Sequence, residues 1–161
     1  VLSAPSIQRY VRQLLLPEIG MNGQELLASA RLDVPGDALS AITARDYLTR
    51  AGVGAAAAVP TAGELRFVLS DRGFAWSRRD GLCEDCLRAF VDALPMPPPG
   101  ERAAVAMAAG ALAASQLMLA PLGKLSGATA GRGVGFRLWP AAEREEVTPR
   151  DGCDCGAPPG G

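Results

Sequence analysis

Histidine is absent from the 161-residue chain, lysine occurs once, at Lys124, and aromatic residues make up only 5% of the sequence. Without imidazole there can be no Ser-His-Asp or Cys-His nucleophile set, and no histidine metal ligand. Any general acid or base has to be Asp, Glu, Lys, Tyr or Cys. An excess of one charge is also missing. Sixteen basic residues face seventeen acidic ones for a formal net charge of −1, so no global field draws in nucleic acid or an anionic membrane. The opening residues, Val1-Leu-Ser-Ala-Pro-Ser6, lack the basic and apolar regions of a secretory signal. One long uncharged run exists, Ala103 to Ala120. It is half alanine and contains Gly110, Ser115 and Gln116, so its drive into lipid is weak and it reads as a buried core helix. These absences point to a cytoplasmic protein with neither nucleic acid nor membrane as partner. In that compartment paired cysteines are more often metal ligands than disulfides.

What is present fits one globular α/β domain over residues 1–161: 48% of residues are hydrophobic and 20% charged. An N-terminal segment, 1–30, holds two expected helices. Ser6 to Leu16 has Ile7, Tyr10, Val11, Leu14 and Leu15 on one stripe and Pro17 as its stop, and Gln24 to Ala30 follows. Residues 31–54 read as a short β-α unit, with a strand over Arg31–Pro35 weakened by Asp33 and Pro35, and a helix over Ala38–Arg50. The Ala/Pro/Gly-rich stretch 55–63 is the expected linker. Within 64–156, strands are expected over Glu64–Ser70, Gly133–Trp139 and Glu145–Thr148. Helices are expected over Cys86–Leu94 and along the Ala-rich run. A turn-rich tail, 157–161, ends in Gly160-Gly161.

The four cysteines fall in two close pairs, Cys83-Glu-Asp-Cys86 and Cys153-Asp-Cys155. A Cys-x-x-Cys turn lets two thiolates converge on one ion, and a distant second pair completes a tetrahedral Cys₄ set, the donor chemistry of structural zinc. Zinc is therefore the expected cofactor. Binding at such sites supplies roughly 10–16 kcal/mol of apparent free energy, which matters in a chain so poor in aromatic residues. The second pair has one spacer residue instead of two. A disulfide pair, a redox dithiol and free buried thiols are the alternatives.

Several segments, in order, resemble the ThiF/MoeB/HesA family, the bacterial relatives of ubiquitin-activating enzymes. These are Arg9-Tyr-Val-Arg-Gln-Leu-Leu-Leu-Pro-Glu-Ile-Gly20 with Asn22-Gly-Gln24 and Leu27, and Ala30-Arg31 with the helix ending Ala51-Gly-Val-Gly54. The first cysteine pair, the Ala-rich helix, Ser126-Gly127 and Cys153 to Gly156 follow. The resemblance implies a reduced Rossmann-like fold with its central portion deleted, N-terminal helices and a zinc-clipped C-terminal part. It also implies what is missing. Family members carry a Gly-rich loop between first strand and first helix, where backbone N–H groups approach nucleotide phosphates. The corresponding stretch here is Gly36, Asp37, Ala38, Leu39 and Ser40: one glycine survives, Leu39 adds bulk and Asp37 adds negative charge. The family's nucleotide-contacting lysine and magnesium-binding aspartate have no counterpart between Ala55 and Arg79, and Lys124 lies in the wrong segment to replace the lysine.

ATP is accordingly not an expected ligand, and the expected function is that of a catalytically inactive ThiF/MoeB-like pseudo-subunit. It would act as a scaffold or regulatory partner of another protein, in a homo- or hetero-oligomer. In dimeric family members the second arginine of the Arg-Tyr-x-Arg signature reaches the partner's ATP. By that resemblance Arg12, with Arg9 beside it, could be lent in trans to an active paralogue; the alternative is that both arginines only solvate a helix face. Two other readings stand beside this one: a divergent adenylyltransferase activating a ubiquitin-like or sulfur-carrier C-terminus, and a thiol or sulfur relay through the cysteines. The Gly160-Gly161 ending is also that of ubiquitin-like carriers, but Pro158-Pro159 stiffens it and nothing in the body resembles a β-grasp.

Overall fold

The computed structural model describes residues 2–32, 34–53, 65–127 and 131–156. Asp33, the linker 55–63 and the tail with Gly160-Gly161 lie outside the described residues. Local chemistry sets the first three helices. Helix α1 (Ala4–Leu14) starts at Ser3, whose hydroxyl accepts from the Ser6 amide at 3.3 Å, with a proline in its first turn. Helix α2 (Gly20–Ser29) follows Pro17, and α3 (Leu39–Arg50) buries Ser40, Ala41, Ala44 and Leu48. At the end of α3, Gly52 has φ +85, and a Cβ there would lie 2.7 Å from both the Tyr10 ring and Gln24 Nε2. The Gln24 amide in turn donates to the Ala51 carbonyl at 2.9 Å. The first two helices are thereby fastened to the C-terminal end of α3.

Four strands follow the meander order β1 (Leu65–Ser70), β2 (Gly73–Arg78), β3 (Gly133–Arg137) and β4 (Glu143–Val147), all antiparallel. A two-residue turn at Asp71-Arg72 joins β1 to β2, with Ser70 opposite Gly73. Helix α4 (Glu84–Ala93) covers one face and α5 (Arg102–Leu119) lies between the other face and α3. Side chains alternate accordingly along β2. Phe74 and Trp76 join Ala113 of α5 and Val134, while Ala75 joins Leu82, Leu87 and Val91 on the α4 side. Phe67, Phe74 and Phe136 stack across three strands at 5.5 and 4.7 Å between centroids. On the α4 side Phe90 lies over Gly135, where a Cβ would stand 2.3 Å from its ring. β4 is an edge strand rich in charge, with Glu143, Arg144, Glu145 and Glu146. Arg137 pairs with Glu143 and with Glu145 (2.9 Å), and Arg132 pairs with Glu146, an arrangement that discourages further strand pairing.

By length and composition α5 is apolar enough to cross a membrane. In the fold, its stripe of Ala106, Ala109, Gly110, Ala113, Ala114 and Leu117 is buried, and its largest set of contacts is with α3. The crossing is close. A Cβ on Gly110 would lie 2.3 Å from the Ser40 carbonyl oxygen and 2.8 Å from Thr43 Cβ.

The chain is thus α/β, with helices on both faces of an antiparallel sheet. The Rossmann-like part of the expectation is not met among the described residues, which contain no parallel strand pair. Where a first strand was expected over Arg31–Pro35, they show a single bridge at Arg31. β2, for which the sequence offered no expectation, is one of the two inner strands of the sheet. With both faces covered, it carries no polar–apolar alternation from Gly73 to Ser77.

Candidate metal centre

The first cysteine pair sits where a chain enters a helix. Cys83 is the N-cap of α4 and Cys86 lies in its first turn, so the start of one helix positions both sulfurs. The second pair comes from beyond β4, where Gly152 (φ +75) turns the chain into a 3-10 segment over Asp154–Gly156. That turn lets a Cys-x-Cys spacing present both sulfurs to the first pair. All four Sγ atoms lie within 4.8 Å of one another. Cys83 and Cys153 are 3.6 Å apart, as are Cys86 and Cys155, and none is disulfide-bonded.

Four sulfurs around zinc at about 2.3 Å would be separated by about 3.8 Å along each tetrahedron edge, so the observed spacing and the all-thiol donor set fit a structural zinc ion. A backbone amide supports the cluster: the N–H of Arg150 donates to Cys86 Sγ at 3.4 Å. Burial pushes the Cys86 thiol up to about 12 against that amide's opposing pull. The amide of Cys155, followed by the neighbouring thiols, brings Cys153 down to about 7, while burial raises Cys155. Cys86, Cys153 and Cys155 thus sit in unlike surroundings, and a divalent ion held among the sulfurs would favour their thiolate forms. Leu82, Leu87, Val91 and Val147 form the apolar floor beneath them.

The stretch 36–40 is a plain helix entrance. Gly36 has φ +98, and the Arg45 guanidinium clamps the preceding turn by donating to the carbonyls of Val34 (2.7 Å) and Gly36 (2.6 Å). Asp37, Ala38 and Leu39 are exposed, and Ser40 is fully buried with no partner for its hydroxyl among the described residues. Ala38 caps α3 without a side-chain bond, but the Ser40 amide donates to Asp71 Oδ1 at 2.9 Å, from the β1–β2 turn. Sequence reasoning missed Asp71 and Arg45. Asp71 is 31 positions from its partner, and no local pattern signals such a contact.

Arg9 and Arg12 are exposed on α1, Arg9 with its guanidinium 5.6 Å from the Tyr10 ring centre. Because Tyr10 docks at Gly52, α1 sits at the end of α3 away from residues 36–40, on the order of 18 Å along a 12-residue helix. The structure therefore does not gather the arginines and the 36–40 stretch into one site within a chain.

No family model matches the chain. Over 53 residues it is 49% identical to the adenylyltransferase and sulfurtransferase MOCS3 of Bos taurus, and to the protein of the same name from Mus musculus. The match covers 33% of this chain and only 12% of each of those relatives, so the likeness to a ThiF/MoeB-family protein is partial.

Proposed function

We propose that this chain is a zinc-clipped, ThiF/MoeB-like subunit that does not adenylate. It serves in the cytoplasm as a scaffold or regulatory partner of another protein in sulfur-carrier or ubiquitin-like activation. The observation that carries this reading is the entrance to α3. Where the resemblance places a phosphate-cradling glycine loop, Arg45 fastens the backbone through Val34 and Gly36, and an aspartate already takes the Ser40 amide. A triphosphate there would meet the carboxylates of Asp37 and Asp71, and the Ser40 N–H is already taken. The partial likeness to MOCS3 supports the pathway class. Exposed Ile7, Val11, Leu15 and Leu16 around α1, a helix with no buried residue, support a protein partner, and Arg12 is free of ion pairs among the described residues to be lent to it.

The test is calorimetric titration with MgATP, together with native mass spectrometry against an active paralogue. The expectation is no saturable binding tighter than about 1 mM, one zinc per chain, and a heterodimer whose ATP turnover falls with Arg12→Ala. Saturable ATP binding with pyrophosphate release on adding a carrier protein would establish the adenylyltransferase reading instead. A thiol relay is the second reading, favoured by the half-exposure of Cys83, Cys153 and Cys155. It requires those thiols to alkylate readily with zinc present, where a structural site protects them.

A further inference from the structure

We infer that Asp71 is an internal anion that latches the β1–β2 hairpin onto the N-terminus of α3, holding in cis the position an external oxyanion would take. The first turn of α3 contains no acidic residue, and its N-cap, Ala38, offers no side-chain acceptor. A helix with bare N-terminal amides carries a partial positive charge that attracts an anion. The fold supplies one from a different layer: Asp71 Oδ1 accepts the Ser40 N–H at 2.9 Å. Asp71 stands on a turn that is itself held down. Ser70 Oγ accepts from the Arg72 amide at 3.2 Å, and the Arg72 guanidinium donates to the carbonyls of Asp92 and Leu94, both at 2.9 Å, at the end of α4.

The carboxylate is thus delivered by a rigid tip. On the helix side, Arg45 fixes the turn before α3, and Gly110 of α5 presses against the Ser40 carbonyl. Both partners are preorganised, so the contact joins the helical layer to the sheet at one charged point. The inference deepens the reading of the 36–40 stretch as closed to nucleotide. It makes a separate claim, namely that the closing group can be replaced by a free anion once it is removed.

Thermal melting of the zinc-loaded protein against inorganic phosphate tests it, with Asp46→Ala as a control that removes an exposed acid elsewhere on α3. Asp71→Ala is expected to melt about 2–4 °C below wild type, the cost of one lost cap in a domain of this size. Phosphate should then restore at least half of that loss, saturably. Wild type and Asp46→Ala should show only the smaller, non-saturating rise that excluded anions give any protein. Asp71→Asn, which keeps an acceptor but drops the charge, should fall between. If Asp71→Ala fails to fold in plain buffer, its refolding yield with and without phosphate is the readout. Asp71→Ala melting with wild type, or gaining no more from phosphate than Asp46→Ala does, overturns the latch. ATP titration of wild type reports separately on the parent reading.

Discussion

At the scale of single residues, the chemistry of this chain is concentrated in four sulfurs. Cys86 is the buried member and accepts the Arg150 amide, so Cys86→Ser should be the most damaging of the four exchanges. It leaves a hydroxyl in an apolar floor and deletes a metal ligand at once. Elemental analysis should find zinc near one equivalent in wild type and well below half in the variant, with a clearly lower melting temperature. Zinc uptake requires thiolates, so protons are released on binding and affinity falls as pH falls. Competition with a chromophoric chelator should therefore give markedly weaker binding at pH 6 than at pH 8; equal affinities at the two would argue against thiolate ligation. The cysteine pairs were legible in the sequence because spacing alone identifies a chelating turn. The second pair departs from the two-residue spacing of the first, and the left-handed Gly152 that precedes it cannot be recognised without its φ angle.

At the scale of elements, helices were readable and one inner strand, β2, was not. α1, α3, α4 and α5 fall within a few residues of their expected spans, since stripe periodicity, Pro17 and the Pro95–Pro99 break are local signals. β2 escaped because Gly73, Ala75 and Ser77 alternate with Phe74 and Trp76 in a strand buried on both faces, where neither polarity nor branching marks the period. The tightest joint between elements is the α3–α5 crossing. Gly110→Ala gains roughly 1 kcal/mol of helix propensity. It also drives a methyl to 2.3 Å from the Ser40 carbonyl, a backbone atom that no rotamer can move aside. Overpacking of this kind costs about 1–3 kcal/mol. A net loss of up to about 2 kcal/mol is therefore expected in urea unfolding, whereas a stabilised variant would show that the helices separate freely.

At the scale of the whole molecule, the cysteine cluster joins positions 69 and 70 residues apart, across everything from α4 to the end of β4. Removal of zinc by a chelator should act unevenly. Amide exchange should accelerate first in β4, residues 148–156 and the start of α4, where the apolar floor and the sulfurs meet. The α2–α3–α5 cluster has its own core of Leu27, Ala44, Leu48 and Leu117 and should keep its protection longer. Uniform loss of protection would mean that the layers unfold as one unit. The partition also accounts for what sequence resemblance could and could not foresee. Segments at both ends carry recognisable signatures, but the strand order of the sheet depends on pairings between segments that no single signature contains.

The position of the second cysteine pair has a mechanical consequence. Because Cys153 and Cys155 follow β4, tension applied beyond Gly156 reaches the sulfur cluster before it reaches the edge strand. With zinc bound, the load passes through the metal–thiolate bonds into the start of α4, and β4 is shielded from being peeled residue by residue. Without zinc, the same pull would unzip β4 from β3 one pairing at a time. A metal held there would decide whether this end of the molecule yields as a zipper or holds as a rivet.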